Sequence, residues 1–177
     1  MERILYIIPE CYVDTNLIST LVNAAVNHQK CCTKVTETLN KRYSDNFAVG
    51  IIDNDKVEPK YVGEFQLIAK HGHLQLLRHK NRSHYLITIN PAVEMLIIDS
   101  AAEIGLDLKA YGLSSDLNTL KKLTKKVSSN TDSTFTKLFK DLEKSTDFKV
   151  LKNTLNYLMR NQYKSNQEDL QKFFLGS

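Results

Sequence analysis

Residues 47–59 read FAVGIIDNDKVEP, an apolar run from Phe47 to Ile52 that leads straight into two aspartates one residue apart, Asp53 and Asp55. A short continuous apolar run with β-branched residues predicts a strand covered on both faces, as in a parallel sheet. An Asx turn accounts for one aspartate at such a strand end. Two carboxylates this close repel and raise each other's pKa unless a cation compensates them. The stretch therefore predicts a strand entering a sheet core and ending at a point of concentrated negative charge.

Upstream, RILYIIP (3–9) is a second continuous apolar run, ending at Glu10. Between the two runs, DTNLISTLVNAAVNHQ carries Leu17, Leu21, Val22 and Ala25 at helical spacing, with Asp14 or Thr15 as the cap, and TKVTETLNKRY predicts a shorter helix. Downstream, EFQLIAKHG (64–72) reads as a short helix closed by Gly72, followed by strands in LQLLRHK and HYLITI. Asn90 and Pro91 then open a helix through AVEMLIIDSAAEIG, with proline at its first position and glycine past its end. Strands alternating with helices predict an α/β fold with a mostly parallel sheet over residues 1–108. In 109–177 the strand signal stops. Four segments there, SSDLNTLKKLTKK, DSTFTKLFKDLEKS, DFKVLKNTLNYLMRNQY and NQEDLQKFFLG, show apolar residues three or four apart. They predict a helical C-terminal extension packed on the sheet, with VSSNTDS (127–133) as a polar linker.

Charge divides along the same line. Residues 1–108 hold 11 lysines and arginines against 13 acids, a net of −2, while residues 109–177 hold 13 against 7, a net of +6. A basic extension beside an acidic front half suits a polyanion partner, and equally suits a solvated lysine-rich helix face. Apolar residues are 42% and charged residues 25% of the chain, a globular composition with no run long enough to span a bilayer. The N-terminal run meets acid at once and lacks a small-residue cleavage site, so it does not read as a signal peptide. Three cysteines, two of them adjacent, make no disulfide framework, and with these features the expected location is the cytoplasm. His28, Cys31 and Cys32 lack the spacing of a zinc site. No phosphate-binding glycine loop and no nucleophile elbow is present.

Ligands of open α/β sheets bind beyond the carboxyl ends of the strands. Glu10 and the Asp53/Asp55 pair stand at two such ends. If the two strands are neighbours, three carboxylates converge, and hard oxygen ligands without histidine or cysteine suit Mg²⁺ or Mn²⁺. Basic residues follow in LRHKNRSHY (77–85), where Arg78, Lys80 and Arg82, with His79 and His84, are expected on a loop near the acids. Either they clamp phosphate or they are a solvated connection. Lys56 beside the acidic pair, and Lys121, Lys122, Lys125 and Lys126 in LKKLTKK, are further candidates for phosphate or nucleic-acid contact. Glu94, among Val93, Met95 and Leu96, is either a site acid or the one polar point on a packed helix, paired with Arg78 or Lys80.

The order PECYVD, then IIDNDK, then LITINPAVEMLIIDSAAEIG resembles the Toprim domain, and within it the RloB-like and OLD-type nucleases, over residues 3–104. The resemblance implies an acid–base or metal-binding role for Glu10, metal ligation by Asp53 and Asp55, and a further acid at Glu94. Asp14 would be the second acid of the first motif. It implies a Mg²⁺- or Mn²⁺-dependent nuclease cutting DNA or RNA, in antiviral defence, with a partner ATPase or a homo-oligomer. Cys11 stands where that family has glycine, and Pro9 precedes the glutamate. Two other classes remain: a non-catalytic metal- or nucleic-acid-binding module, and a nucleotide-sugar transferase holding a metal diphosphate with its D-x-D.

Overall fold

Gly50 sets the centre of the fold. A Cβ there would lie 2.9 Å from both Leu86 Cδ1 and Val35 Cγ1 and 3.0 Å from Leu39 Cδ1, so only glycine lets a helix press this closely onto the sheet. In the computed structural model, which describes residues 2–54 and 59–175, Gly50 belongs to strand β4 (Ala48–Asp53). Val49 and Ile51 enter one apolar cluster and Ala48 and Ile52 another, so both faces are covered, as the continuous apolar run requires.

Strands β2 (Ile7–Pro9) and β7 (His84–Ile89) flank β4, and both run parallel to it. Beyond β7 lie β6 (Leu74–His79) and then β5 (Phe65–His71), each antiparallel to its neighbour, giving the order β2-β4-β7-β6-β5. The fold is α/β, but its sheet is mixed rather than mostly parallel. The cause is the segment expected as a helix at 64–72, which instead forms β5 and turns back into β6 through Gly72 and His73. Gly72 has φ 48°, and glycine at positive φ serves a helix end and a hairpin loop equally well. The expected first strand is also split. Arg3–Ile4 (β1) pairs separately with Ala25–Val26 (β3), and only Ile7–Pro9 joins the main sheet.

Two helix starts differ from the sequence reading, both next to the acids. Helix α1 (Tyr12–Val22) is capped by Cys11, not by Asp14 or Thr15; the Cys11 N–H donates to the Asp14 carboxylate one turn in, at 3.3 Å. Helix α3 (Val93–Glu103) begins after Ala92 rather than at Pro91, because the carboxylate that receives its first N–H comes from β4. Helix α2 (Cys32–Glu37) continues as a π-helical turn over Thr38–Arg42 and covers the Gly50 face.

The C-terminal helices are those the periodicity predicts: α4 (Leu117–Thr124), α5 (Ser133–Leu142), α6 (Thr146–Asn161) and α7 (Gln167–Phe174). Asp116, Asp132 and Asn166 cap three of them through their side chains. The 127–133 linker holds a 3-10 turn, Val127–Asn130, whose Ser129 is buried and bonded to the carbonyls of Thr124 and Lys126. Leu138, Phe139, Leu151, Leu155 and Leu158 join Ile7, Val49 and Ile87 in one apolar cluster, and each such buried side chain contributes about 1.5–3 kcal/mol. The helices thus close the sheet face opposite α2. Among the described residues no helix is long and apolar enough to cross a membrane.

Candidate functional site

Because β2 and β4 are adjacent and parallel, with Pro9 opposite Ile51, their carboxyl ends deliver Glu10 and Asp53 to one place. Glu10 is 2% exposed, and its Oε2 accepts the Asp53 N–H at 3.1 Å. Asp53 Oδ1 accepts the N–H of Val93 at 3.1 Å, so β4 caps α3 across the sheet end. Such a cap contributes about 1 kcal/mol and fixes Glu94, the second residue of the helix. Glu94 is buried, and its Oε1 accepts the Thr124 hydroxyl at 2.5 Å, from the last turn of α4. Its partner is therefore Thr124, not Arg78 or Lys80.

These residues line a cavity of about 260 Å³. Among the described residues its wall carries three carboxylates, Glu10, Asp53 and Glu94, and three ammonium groups, Lys30, Lys121 and Lys125. Lys121 on α4 and Lys125, the residue that caps its C-terminus, are four apart and so share a face with each other. Behind the cavity stands Asp14, fully buried, with one oxygen on the Cys11 N–H and Oδ1 without a hydrogen-bond partner among the described residues. Burial first, then the charges of Glu10 and Glu94, push its carboxyl up to about 7, against the lowering effect of its hydrogen bonds from Cys11. Burial and the neighbouring Asp14 charge push the Cys11 thiol up as well, so Cys11 is no thiolate nucleophile.

The site residues read from the sequence separate into three groups. Glu10, Asp53, Glu94, Lys121 and Lys125 meet at the cavity, with Asp14 behind them. Lys122 and Lys126 are exposed and outside its wall. Asp55 and Lys56 lie outside the described residues. Arg78, Lys80 and Arg82 are not near the acids, contrary to the sequence reading. Strand β6 is antiparallel, so Leu74 pairs with Ile89 at the acidic end, and Arg78 pairs with Tyr85 at the opposite end. There Arg78 lies 6.0 Å over the Tyr85 ring, and Lys80 reaches the Gly63 carbonyl. Arg82 binds the Asn40 carbonyl and side chain at 3.1 and 2.8 Å.

His79 and His84 are buried beside these residues. His84 Nε2–H donates to the Tyr43 carbonyl at 2.8 Å, which leaves Nδ1 to accept the Tyr61 hydroxyl at 2.7 Å. Burial lowers the pKa of both histidines, and the pair is a structural knot rather than a phosphate clamp. The sequence reading missed Lys30, Tyr12 and Thr124 at the cavity. Thr124 had a legible signal, three residues after Lys121 on the same helix; Lys30 sits beyond β3 with none.

Carboxylate oxygens are the donors Mg²⁺ and Mn²⁺ prefer. Among the described residues, however, no three histidine, cysteine or acidic side chains stand close enough to hold one ion. Glu10 and Asp53 are the two carboxylates that the strand ends bring together there. No family model, no curated protein and no solved structure matches the chain.

Proposed function

We propose that the cavity is the active site of a Mg²⁺- or Mn²⁺-dependent nuclease acting on phosphodiester bonds. The observation that carries the reading is the meeting of three buried or half-buried carboxylates with three lysines in one cavity beyond the ends of parallel strands. Glu10 and Asp53, with Asp55, would hold the ion, which offsets charge on the phosphoryl oxygens and activates water. Lys30, Lys121 and Lys125 attract and position the phosphate. Glu10, aimed into the cavity from the end of β2, orients the ion or moves a proton at the reacting phosphate. Tethering of Glu94 to Thr124 keeps α4 and its two lysines over the acids.

The lysines also favour a second reading. Among the described residues three ammonium groups offset the three acids, a balance that suits binding a phosphate-bearing ligand without cutting it. Incubation with labelled DNA and RNA, with Mg²⁺, Mn²⁺ or EDTA, separates the two. Nuclease action gives cleavage with either metal and none with EDTA; binding without cleavage under every condition contradicts it.

A further inference from the structure

Beside the cavity runs a second, larger and chemically different one, of about 410 Å³, between α1, β3 and the segment joining α4 to α5. Its wall is almost free of charge. Ser19, Thr20 and Asn23 contribute from one face of α1 and Asn130 and Thr131 from the linker, while Ala25 and Val26 supply an apolar side. Among the described residues Lys140 is its one charged residue and no carboxylate lines it. Hydroxyl and amide groups over an apolar surface suit a neutral heterocycle or sugar.

The two cavities share the first turns of α1. Cys11 and Tyr12 line the charged one, and Thr15, one turn on, lines the neutral one. His28 also lines the neutral cavity and stacks on the Tyr12 ring, with centroids 4.6 Å apart and planes 21° from parallel. The Thr15 hydroxyl donates to the Cys11 carbonyl at 2.7 Å, so its oxygen accepts from His28 Nδ1–H at 2.8 Å. That assigns the ring proton to Nδ1 and leaves Nε2 a lone pair. Nε2 is buried without a hydrogen-bond partner among the described residues.

We propose that the neutral cavity takes the nucleoside part of a nucleotide whose phosphate enters the charged cavity. The inference rests on the reading of the charged cavity as a phosphate site, not on cleavage. It names the substrate's recognised end as a nucleoside with its phosphate, held across the Tyr12–His28 stack.

The test is an NMR titration of the full chain in EDTA with four nucleosides, their 5′-monophosphates and inorganic phosphate. At least one nucleoside should shift the amides of residues 19–26 and 130–131. Its monophosphate should bind about tenfold tighter or more, the worth of one charge-assisted hydrogen bond, and also shift residues 121–125. Ser19→Leu, which fills the neutral cavity from a half-exposed position, should abolish the nucleoside shifts and keep those of inorganic phosphate, which also shows that the variant is folded. Absence of any nucleoside shift in the wild type overturns the proposal. So does a Ser19→Leu variant that binds nucleosides unchanged, or a monophosphate that gains nothing over its nucleoside. A protein that binds nucleotides this way but cuts no nucleic acid would contradict the nuclease reading and support this one.

Discussion

Asp53 has two structural tasks before any chemistry: its backbone N–H holds Glu10, and its carboxylate caps α3 and so places Glu94. Two further acids are thereby placed by one residue, whereas the sequence pointed to Asp53 only as one of two carboxylates at the end of an apolar run. Asp14 is the opposite case. Its burial and its place behind Glu10 follow from the packing of α1, whereas the sequence offered it as a candidate helix cap and, through the resemblance, as the second acid of the first motif. Its carboxyl is raised from the ordinary 3.8 to about 7, so the folded chain holds that proton more tightly than the unfolded chain. The stabilisation is therefore complete below about pH 4 and is lost as pH rises through 7. His28, His79 and His84, lowered by burial, act oppositely: their contribution is present above about pH 6.5 and lost as pH falls. Asp14→Asn should remove only the first trend. In denaturant unfolding of EDTA-treated protein from pH 4 to 8, the wild type should lose stability relative to the variant as pH rises. A constant difference would contradict the burial account.

At the scale of elements, the readable parts were those with one strong period. The four C-terminal helices and strands β4, β6 and β7 lie where periodicity and apolar runs put them. Strand β5 was misread because FQLIAKH has no clean alternation. Its pairing slips at a bulge between Leu67 and Ala69, leaving Leu67 56% exposed at the sheet edge. Reading β5 as a helix hid the antiparallel turn of β6, and with it the fact that Arg78, Lys80 and Arg82 face the far end of the sheet. Helix α4 makes the finer distinction the sequence left open among its four lysines. Replacing Lys121 and Lys125 together by glutamine should weaken binding of a phosphate-bearing ligand and flatten the dependence of log K on log salt by about two counterions. Replacing Lys122 and Lys126 should leave both unchanged within about twofold, since exposed charges away from a site contribute little. Fluorescence anisotropy across a salt series reads both, and equal slopes for the two pairs would remove α4 from the site.

Across the whole molecule, the sheet and the C-terminal helices share one apolar cluster, and the charged cavity lies where they meet, with acids from residues 10–94 and two lysines from α4. The uneven charge of the chain, net −2 ahead of net +6, thus has a local counterpart: acidic strand ends face a basic helix. That juxtaposition was not legible in the sequence, because it depends on how the helices fold back over the sheet, which no local pattern encodes. The central claim, that the cavity cuts phosphodiester bonds with Glu10 at the reacting phosphate, is tested most directly by Glu10→Gln. The change keeps the size of the side chain and its ability to accept the Asp53 N–H while removing charge and basicity. Single-turnover cleavage of a labelled oligonucleotide with Mn²⁺ should fall by about 10²–10⁴-fold, the range typical of lost acid–base catalysis, with binding of the oligonucleotide equal to or tighter than wild type. Cleavage by the Glu10→Gln protein at the wild-type rate would contradict the claim.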